Sequence, residues 1–217
     1  MSLFYGFYFG VIAFAAVLSF IAYKKGDTKS LFILLILVAT LFAEIATLIF
    51  KDHKILTSGF ILFIFNLMEY TLFCTYYLKS SKNSKFKFGV KLSIPLFIAF
   101  GICTWYLKYH FNRPPVLNID VEGFLLIIIY THLLFNLDAA ENKAIHIQPN
   151  FWIAIGILIF YGGVFVFVVS YPILRKIDPE KARIEYEYIF RSLNIFFYIC
   201  IIIGLICAIR TKKYLPL

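Results

Sequence analysis

The sequence has few charged residues for its length. Only 15% of its 217 residues are Asp, Glu, Lys or Arg, whereas a soluble domain contains about 25%. Hydrophobic residues make up 62% of the chain. A soluble fold of this composition would expose large apolar patches to water, so the composition excludes an ordinary soluble domain.

Residues that intramembrane chemistry requires are also missing. The last apolar run lacks a Lys between Lys181 and Lys212, which excludes a retinal Schiff base of the rhodopsin kind. There is no Asp in the core of an apolar run, no His pair with metal spacing and no GxSxG motif. These absences favour a protein that is not an enzyme. They also predict no cofactor and no bound metal.

The few cysteines follow no functional pattern. All of them lie inside apolar runs, and they are Cys74, Cys103, Cys200 and Cys207. They form no CxxC motif and no cluster with histidine, so the sequence predicts neither a disulfide framework nor a zinc site. We interpret them as small apolar residues of the interior.

Seven long apolar runs fill most of the chain. They cover about residues 4–23, 30–50, 56–78, 90–109, 119–137, 150–174 and 186–209. Each approaches or exceeds the roughly 20 residues that a helix needs to cross a bilayer. Alternating strands of a β-barrel are not visible. The sequence therefore predicts an all-α polytopic membrane protein, a bundle of seven transmembrane helices that forms one domain over residues 1–217.

The runs are bounded by short polar segments. We predict charged loops at residues 79–87, 138–142 and 175–185. Pro95 is expected near the start of the fourth helix, where proline is tolerated. The first run has no Lys or Arg before Lys24, so it is expected to stay as a helix and not to be removed as a signal peptide.

The net charge of +9 comes from short segments beside the apolar runs. Topology and anionic lipid headgroups explain this placement, and nucleic-acid binding does not. The loops after the first, third and fifth runs, together with the C-terminal tail, hold more Lys and Arg than the other loops. This bias predicts a multi-pass protein of a cell inner membrane, with its N-terminus outside and its C-terminus in the cytoplasm.

Ionisable residues within the runs are few, and they are Glu44, Glu69, His132 and Arg191. Inserting one such side chain at the centre of a bilayer costs about 3 kcal/mol of free energy, so these residues usually face the interior of a helix bundle. Polar residues share their helical faces: Asn66 and Tyr70 with Glu69, Asn136 with His132, and Asn194 with Arg191. We predict a ligand-binding polar core in the outer half of the bundle, formed by the second, third, fifth and seventh helices.

Depth along the helices suggests which of these groups could meet. At 1.5 Å per residue, Glu44 and Arg191 lie at similar depths, and so do Glu69 and His132. Two structural alternatives stay open. The Asn residues can hold helices together by hydrogen bonds, and Arg191 can pair with Glu187 on its own helix.

Two sequence stretches carry a family resemblance. They are Phe65-Asn66-Leu67-Met68-Glu69-Tyr70, and Pro149-Asn150-Phe151-Trp152-Ile153-Ala154-Ile155-Gly156 with Tyr161-Gly162-Gly163 after it. The chain resembles an uncharacterised group of stand-alone seven-helix membrane proteins of Bacteroidetes bacteria, whose members accompany sensor histidine kinases. The resemblance implies a bacterial protein that signals through such a kinase. It transfers no activity and no site residue.

Three functions remain open at this point. The first is a sensory, receptor-like or scaffold protein whose polar core takes a small or lipid-like ligand and whose output depends on a partner and on membrane lipids. The second is a transporter of small solutes. The third is an intramembrane lipid hydrolase with Glu69 and His132 as an acid–base pair. The sequence leaves the oligomeric state undetermined.

Overall fold

The computed structural model describes residues 2–49, 55–107, 116–137 and 144–212. Within these ranges the protein is built from helices and contains no strand. The seven long helices are α1 Ser2–Lys24, α2 Ser30–Ile49, α3 Ile55–Ser80, α4 Ser84–Leu107, α5 Val116–Phe135, α6 Pro149–Ile177 and α7 Pro179–Lys212. A short 3₁₀ turn, Ile145–Ile147, precedes α6. The predicted all-α seven-helix bundle is thereby confirmed.

All seven helices are long and apolar enough to cross a membrane. Their candidate spans contain 19 to 24 residues, which corresponds to about 29 to 36 Å of helix. The hydrocarbon core of a bilayer is about 30 Å thick. The length and composition of the helices therefore support a multi-pass membrane protein, as the apolar runs predicted.

The outer surface of the bundle is apolar, as a lipid-facing surface must be. Large side chains point outward on several helices; Phe42 is 70% exposed, Phe88 is 71% exposed and Phe135 is 83% exposed. Hydrophobic patches of this extent are unusual on soluble monomers. α4 is the most peripheral helix, because only 17% of its span is buried.

Contacts between the helices follow a closed order. α1 packs on α2, α2 on α3, α3 on α5, α5 on α6, α6 on α7, and α7 returns to α1. The contact between α7 and α1 includes Tyr8 and Tyr198, whose ring centroids lie 6.0 Å apart. α4 packs on the outside of this ring, against α3 and α5. One hydrophobic core contains residues from all seven helices.

Glycines allow α6 and α7 to approach closely. A Cβ atom added at Gly156 would lie 2.9 Å from Cys200 Cβ, and one at Gly204 would lie 3.1 Å from the Pro149 carbonyl oxygen. In a bilayer the helices gain little from the hydrophobic effect, so close contact between backbones becomes a main source of their association. This pair has the most extensive contact in the bundle.

The predicted loop at residues 175–185 is wrong, because almost all of it is helical. α6 continues to Ile177, and α7 begins at Pro179. Asp178 stands between them and its Oδ1 accepts hydrogen bonds from the backbone N–H groups of Glu180 and Lys181, at 3.2 and 3.0 Å. An Asp cap followed by Pro at the first position is a strong helix start, and it outweighs the high charge of the segment.

The start of the fourth helix also differs from the prediction. Asn83 Oδ1 accepts a hydrogen bond from the Phe86 backbone N–H at 3.1 Å, and α4 begins at Ser84, inside the predicted basic loop. Pro95 therefore lies in the interior of α4 and not near its start. It has no N–H to donate to the Lys91 carbonyl one turn earlier.

We predict that the stability of the bundle depends on Gly156 but not on Gly162, its neighbour in α6. Gly156→Ala should destabilise the protein by about 1 to 3 kcal/mol, because its methyl group meets the Cβ of Cys200 and the helices must separate. Gly162→Ala has open space and should be neutral or slightly stabilising. Thermal unfolding of the purified protein in one detergent measures both. Equal midpoints for the two variants would contradict close packing of α6 on α7.

Candidate functional site

A cavity of about 210 Å³ lies inside the ring of helices. It occupies the half of the bundle that contains the N-terminal end of α1, and every helix except α4 contributes to its wall. The residues that line it are Tyr8, Thr40, Ala43, Glu44, Thr47, Leu62, Phe65, Asn66, Glu69, Ile119, Glu122, Phe160, Tyr161, Val164, Phe190, Asn194, Phe197 and Tyr198. Most of these residues are apolar or aromatic, and each of the six helices contributes at least one polar group.

The hydrogen bond between α3 and α5 is the most buried polar contact of the cavity wall. Asn66 Nδ2 donates to Glu122 Oε2, and the two side chains are only 3% and 1% exposed. A polar group at this depth must find a partner inside the protein, because lipid offers none. The pair therefore fixes α3 against α5 at the cavity.

The pair is satisfied only in part. Asn66 Oδ1 and Glu122 Oε1 are both buried, and neither has a hydrogen-bond partner among the described residues. A buried acceptor without a hydrogen bond lowers the stability of a protein by about 1 to 3 kcal/mol. Both side chains line the cavity, so a small turn of either side chain toward the cavity would let its oxygen accept a hydrogen bond from a bound molecule.

Tyr161 of α6 approaches the same place from the other side. Its side chain packs closely against Gly123, where an added Cβ atom would be only 2.9 Å from Tyr161 Cδ1. Its hydroxyl group faces the carboxyl groups of both Glu69 and Glu122. The absence of a side chain at Gly123 thus lets a buried tyrosine reach two acidic residues from neighbouring helices.

A second polar group lies on the side formed by α1, α2 and α7. Tyr8 donates a hydrogen bond to Glu44 Oε1 at 2.9 Å. Tyr198 packs against Tyr8 and also lines the cavity. Asn194 lies one turn before Tyr198, and its Nδ2 donates to the Phe190 carbonyl oxygen of its own helix at 2.9 Å.

Four of the eight predicted ligand-binding residues therefore share one cavity: Glu44, Asn66, Glu69 and Asn194. The four helices named from the sequence all contribute, and α1 and α6 add Tyr8 and Tyr161. The other four predicted residues lie elsewhere. Arg191 is not among the residues that line the cavity, and Glu187, its alternative partner, has a side chain outside the described part of the structure.

Tyr70 faces α4 and not the cavity. Its hydroxyl donates to Ser93 Oγ at 2.7 Å, and its ring packs on Phe97 with centroids 4.3 Å apart. Tyr70 follows Glu69 directly, and adjacent residues point in directions about 100° apart on a helix. Its position is structural, in the contact that holds α4 against the ring.

His132 belongs to a cluster nearer the opposite end of the bundle. Its Nδ1 lies 2.8 Å from the Tyr77 hydroxyl oxygen, and its ring stacks on Phe86 at 3.7 Å. Asn136 is exposed and donates to the His132 carbonyl oxygen at 2.7 Å. Because Tyr77 lies two turns beyond Glu69 on α3, about 12 Å along its axis, Glu69 and His132 do not meet. The acid–base pair of the hydrolase hypothesis is therefore not assembled.

Glu122, which lies among the first residues of the fifth apolar run, was not identified from the sequence. α5 begins at Val116, so Glu122 is almost two turns inside the helix. Asn118 lies on the same face, is fully buried and accepts a hydrogen bond from Thr104 Oγ1 of α4 at 2.5 Å. A pair of polar residues spaced i, i+4 was the signal that could have identified this buried face.

A second pocket, of about 240 Å³, lies at the opposite end of the bundle. It is more polar than the first, and Asn136 lies in its wall together with Lys29, Lys82, Gln148, Asn150 and Thr211. The Tyr76 hydroxyl donates to Asn150 Oδ1 at 2.8 Å and so fixes α3 to the start of α6 there. This pocket is separate from the cavity that Asn66 and Glu122 define.

Comparison of the chain with protein-family models, with curated proteins and with solved structures finds no match. In the described ranges, no group of three or more His, Cys, Asp or Glu residues could hold a metal ion. What the site can do must therefore be argued from its own geometry.

We predict that Asn66 and Glu122 are energetically coupled. Asn66→Leu should lower the free energy of unfolding by about 2 kcal/mol, because it leaves the Glu122 carboxyl group without its donor. The double variant Asn66→Leu/Glu122→Met should be more stable than the sum of the two single changes predicts, since it removes both buried polar groups together. The free energies of unfolding of the unchanged protein, the two single variants and the double variant, measured in mixed micelles, complete this double-mutant cycle and give the coupling energy.

Asn194→Leu provides the control for this cycle. Its amide bonds to the backbone of its own helix, so it should not be coupled to Glu122. Strictly additive effects of Asn66→Leu and Glu122→Met would show that the contact between α3 and α5 does not have the energetic role assigned to it.

Proposed function

We propose that this protein is a receptor-like, sensory membrane protein that binds a small ligand in the cavity between its helices. The observation that carries the proposal is the cavity itself, with aromatic walls and unpartnered polar atoms of Asn66 and Glu122 on one side. Sites for small molecules have this composition, in which apolar walls supply affinity and a few polar groups fix orientation.

The volume of the cavity limits the size of the ligand. An apolar cavity of roughly 150 Å³ holds one benzene molecule. At about 210 Å³, this cavity suits one ring or a short chain with a polar group. Sites for drug-sized ligands are larger, at about 300 to 1,000 Å³. A small ligand therefore fits better than a whole lipid.

Signalling would follow from the position of the cavity within the ring. A ligand that contacts six helices can favour one packing of them over another, provided that it binds the two packings with different affinity. The contact of Tyr8 with Tyr198 closes the ring beside the cavity, so it is a natural place for such a change.

We propose a bacterial sensor histidine kinase as the partner that receives the signal, in line with the resemblance to the Bacteroidetes group. Lys82, Lys85 and Lys91 are exposed around the start of α4 and offer a basic surface. Such a surface attracts anionic lipid headgroups or an acidic partner segment on the cytoplasmic side of a membrane.

We further propose an inner-membrane location with the N-terminus outside, which the distribution of Lys and Arg supports. A reporter fused to the C-terminus should be active if it functions only in the cytoplasm, and inactive if it functions only outside. The same two reporters, fused after a truncation at Lys51, should show the opposite pattern. A C-terminal fusion that is active only outside would reverse the topology, and the cavity would then open toward the cytoplasm.

Transport of small solutes is a second candidate, and one observation favours it. Glu69 and Glu122 line the same cavity from two helices that pack directly on each other. Neighbouring intramembrane carboxyl groups occur in proton relays of carriers. Uptake of a bound compound into proteoliposomes, lost in Glu122→Gln, would favour a carrier over a receptor.

The binding proposal is tested by screening a chemically diverse library of small compounds for thermal stabilisation of the purified protein. A compound at one hundred times its Kd adds about 2.7 kcal/mol, which should raise the midpoint by about 5 °C or more. Val164→Phe should abolish the stabilisation because Val164 lines the cavity.

The same change at Val166 is the matched control, because that residue of α6 is 66% exposed on the outer surface. Val166→Phe should leave the stabilisation unchanged. The proposal fails if the library contains no stabilising compound, or if the compounds stabilise Val164→Phe as strongly as the unchanged protein.

A further inference from the structure

We infer that the ligand of the cavity is a small organic cation, an ammonium group attached to a compact apolar body. This inference rests on the proposed binding function and names the chemical class of ligand. Three separate features of the cavity wall support it: its unpartnered atoms, its charged residues and its aromatic rings.

The unpartnered atoms of the wall are hydrogen-bond acceptors. Asn66 Oδ1 and Glu122 Oε1 belong to side chains that are 97% or more buried, and both side chains line the cavity. Asn66 Nδ2 already donates one hydrogen bond to Glu122, and the two atoms of the pair that lack a partner are both oxygens. An ammonium group has only donors, so it complements the two oxygens once their side chains turn toward it.

The charged residues of the wall are all acidic. Glu44, Glu69 and Glu122 line the cavity, and the described lining contains no Lys, Arg or His. Carboxyl groups in a low-dielectric interior need a counter-charge or a donor close by. Tyr8 and Asn66 already donate to Glu44 and Glu122, and a bound cation would add the counter-charge that the wall lacks. An anion would meet three acidic side chains and no basic one.

The rings of the wall suit an organic cation better than a metal ion. Phe160 and Phe197 stack with centroids 5.4 Å apart, and Tyr8, Tyr161 and Tyr198 also line the cavity. Aromatic faces attract ammonium groups and pack against apolar bodies. The three glutamates do not form a cluster that could hold a metal ion within the described residues.

The test compares three probes that share a phenyl ring and differ in the charge of their polar group: phenethylamine, phenethyl alcohol and phenylacetate. Each has one ring and a short substituent, which matches the volume of the cavity. Binding is measured by calorimetry and by thermal stabilisation of the full-length protein in nanodiscs. We expect phenethylamine to bind at least tenfold more tightly than the alcohol, and phenylacetate to bind most weakly.

Every compound returned by the library screen is compared in the same way with its neutral isostere, so that the result does not depend on one carbon skeleton. Glu122→Gln should weaken binding of the cations about tenfold or more, and binding of the neutral isosteres much less. Glu180→Gln, an exposed position at the start of α7, is the matched control and should change neither. The ligand series in the unchanged protein needs no variant, so it remains decisive if Glu122→Gln does not fold.

The outcomes separate this inference from the proposed function. If neutral or acidic compounds bind as tightly as the matched amines, the cation assignment is wrong, while the proposed binding function stands. If neither the three probes nor any library compound binds, the proposed function fails and the cation assignment falls with it.

Discussion

The hydrogen bond between Asn66 and Glu122 joins the two helices around which the bundle is arranged. α3 contacts α2, α4 and α5, and α5 contacts α3, α4 and α6. In a bilayer, an apolar side chain gains little free energy when it exchanges contact with lipid for contact with another helix. Polar contacts and close packing therefore decide which helices associate. A buried amide bonded to a buried carboxyl group fixes both the register and the rotation of α3 against α5, because either change would leave both groups in an apolar environment.

This constraint also explains why a cavity remains at the centre. With α3 bonded directly to α5, α4 is placed outside the ring, where it covers the outer faces of both helices. The remaining six helices must then close around the volume that α4 does not enter, and the contact between Tyr8 and Tyr198 completes the closure. Large aromatic side chains narrow this volume without filling it. The cavity is thus a consequence of helix order, and its polar wall comes from the same residues that set that order.

The number and type of the elements could be predicted from the sequence, because a membrane span must be long, apolar and helical. Helix ends were harder: the charged segment before Tyr188 resembles a loop, yet Asp178 and Pro179 start a helix there. For the site, helical spacing identified Asn66 and Glu69, but depth alone wrongly brought His132 to Glu69. Which face of α5 points inward depends on its contacts with α3 and α6, and these depend on Gly123 and Tyr161, whose meeting no local pattern indicates.

Polar residues that only hold helices together should satisfy each other, since each unsatisfied group in an apolar interior lowers stability. Tyr70 with Ser93 and Thr104 with Asn118 are contacts of that kind, closed between α4 and its neighbours. Asn66 and Glu122 differ because each keeps a buried oxygen without a partner, and both face the same cavity. Replacing the pair with apolar residues of similar shape would remove this cost. That the pair stands in the wall of the cavity, with this cost unrelieved, is the structural basis of the binding function proposed above.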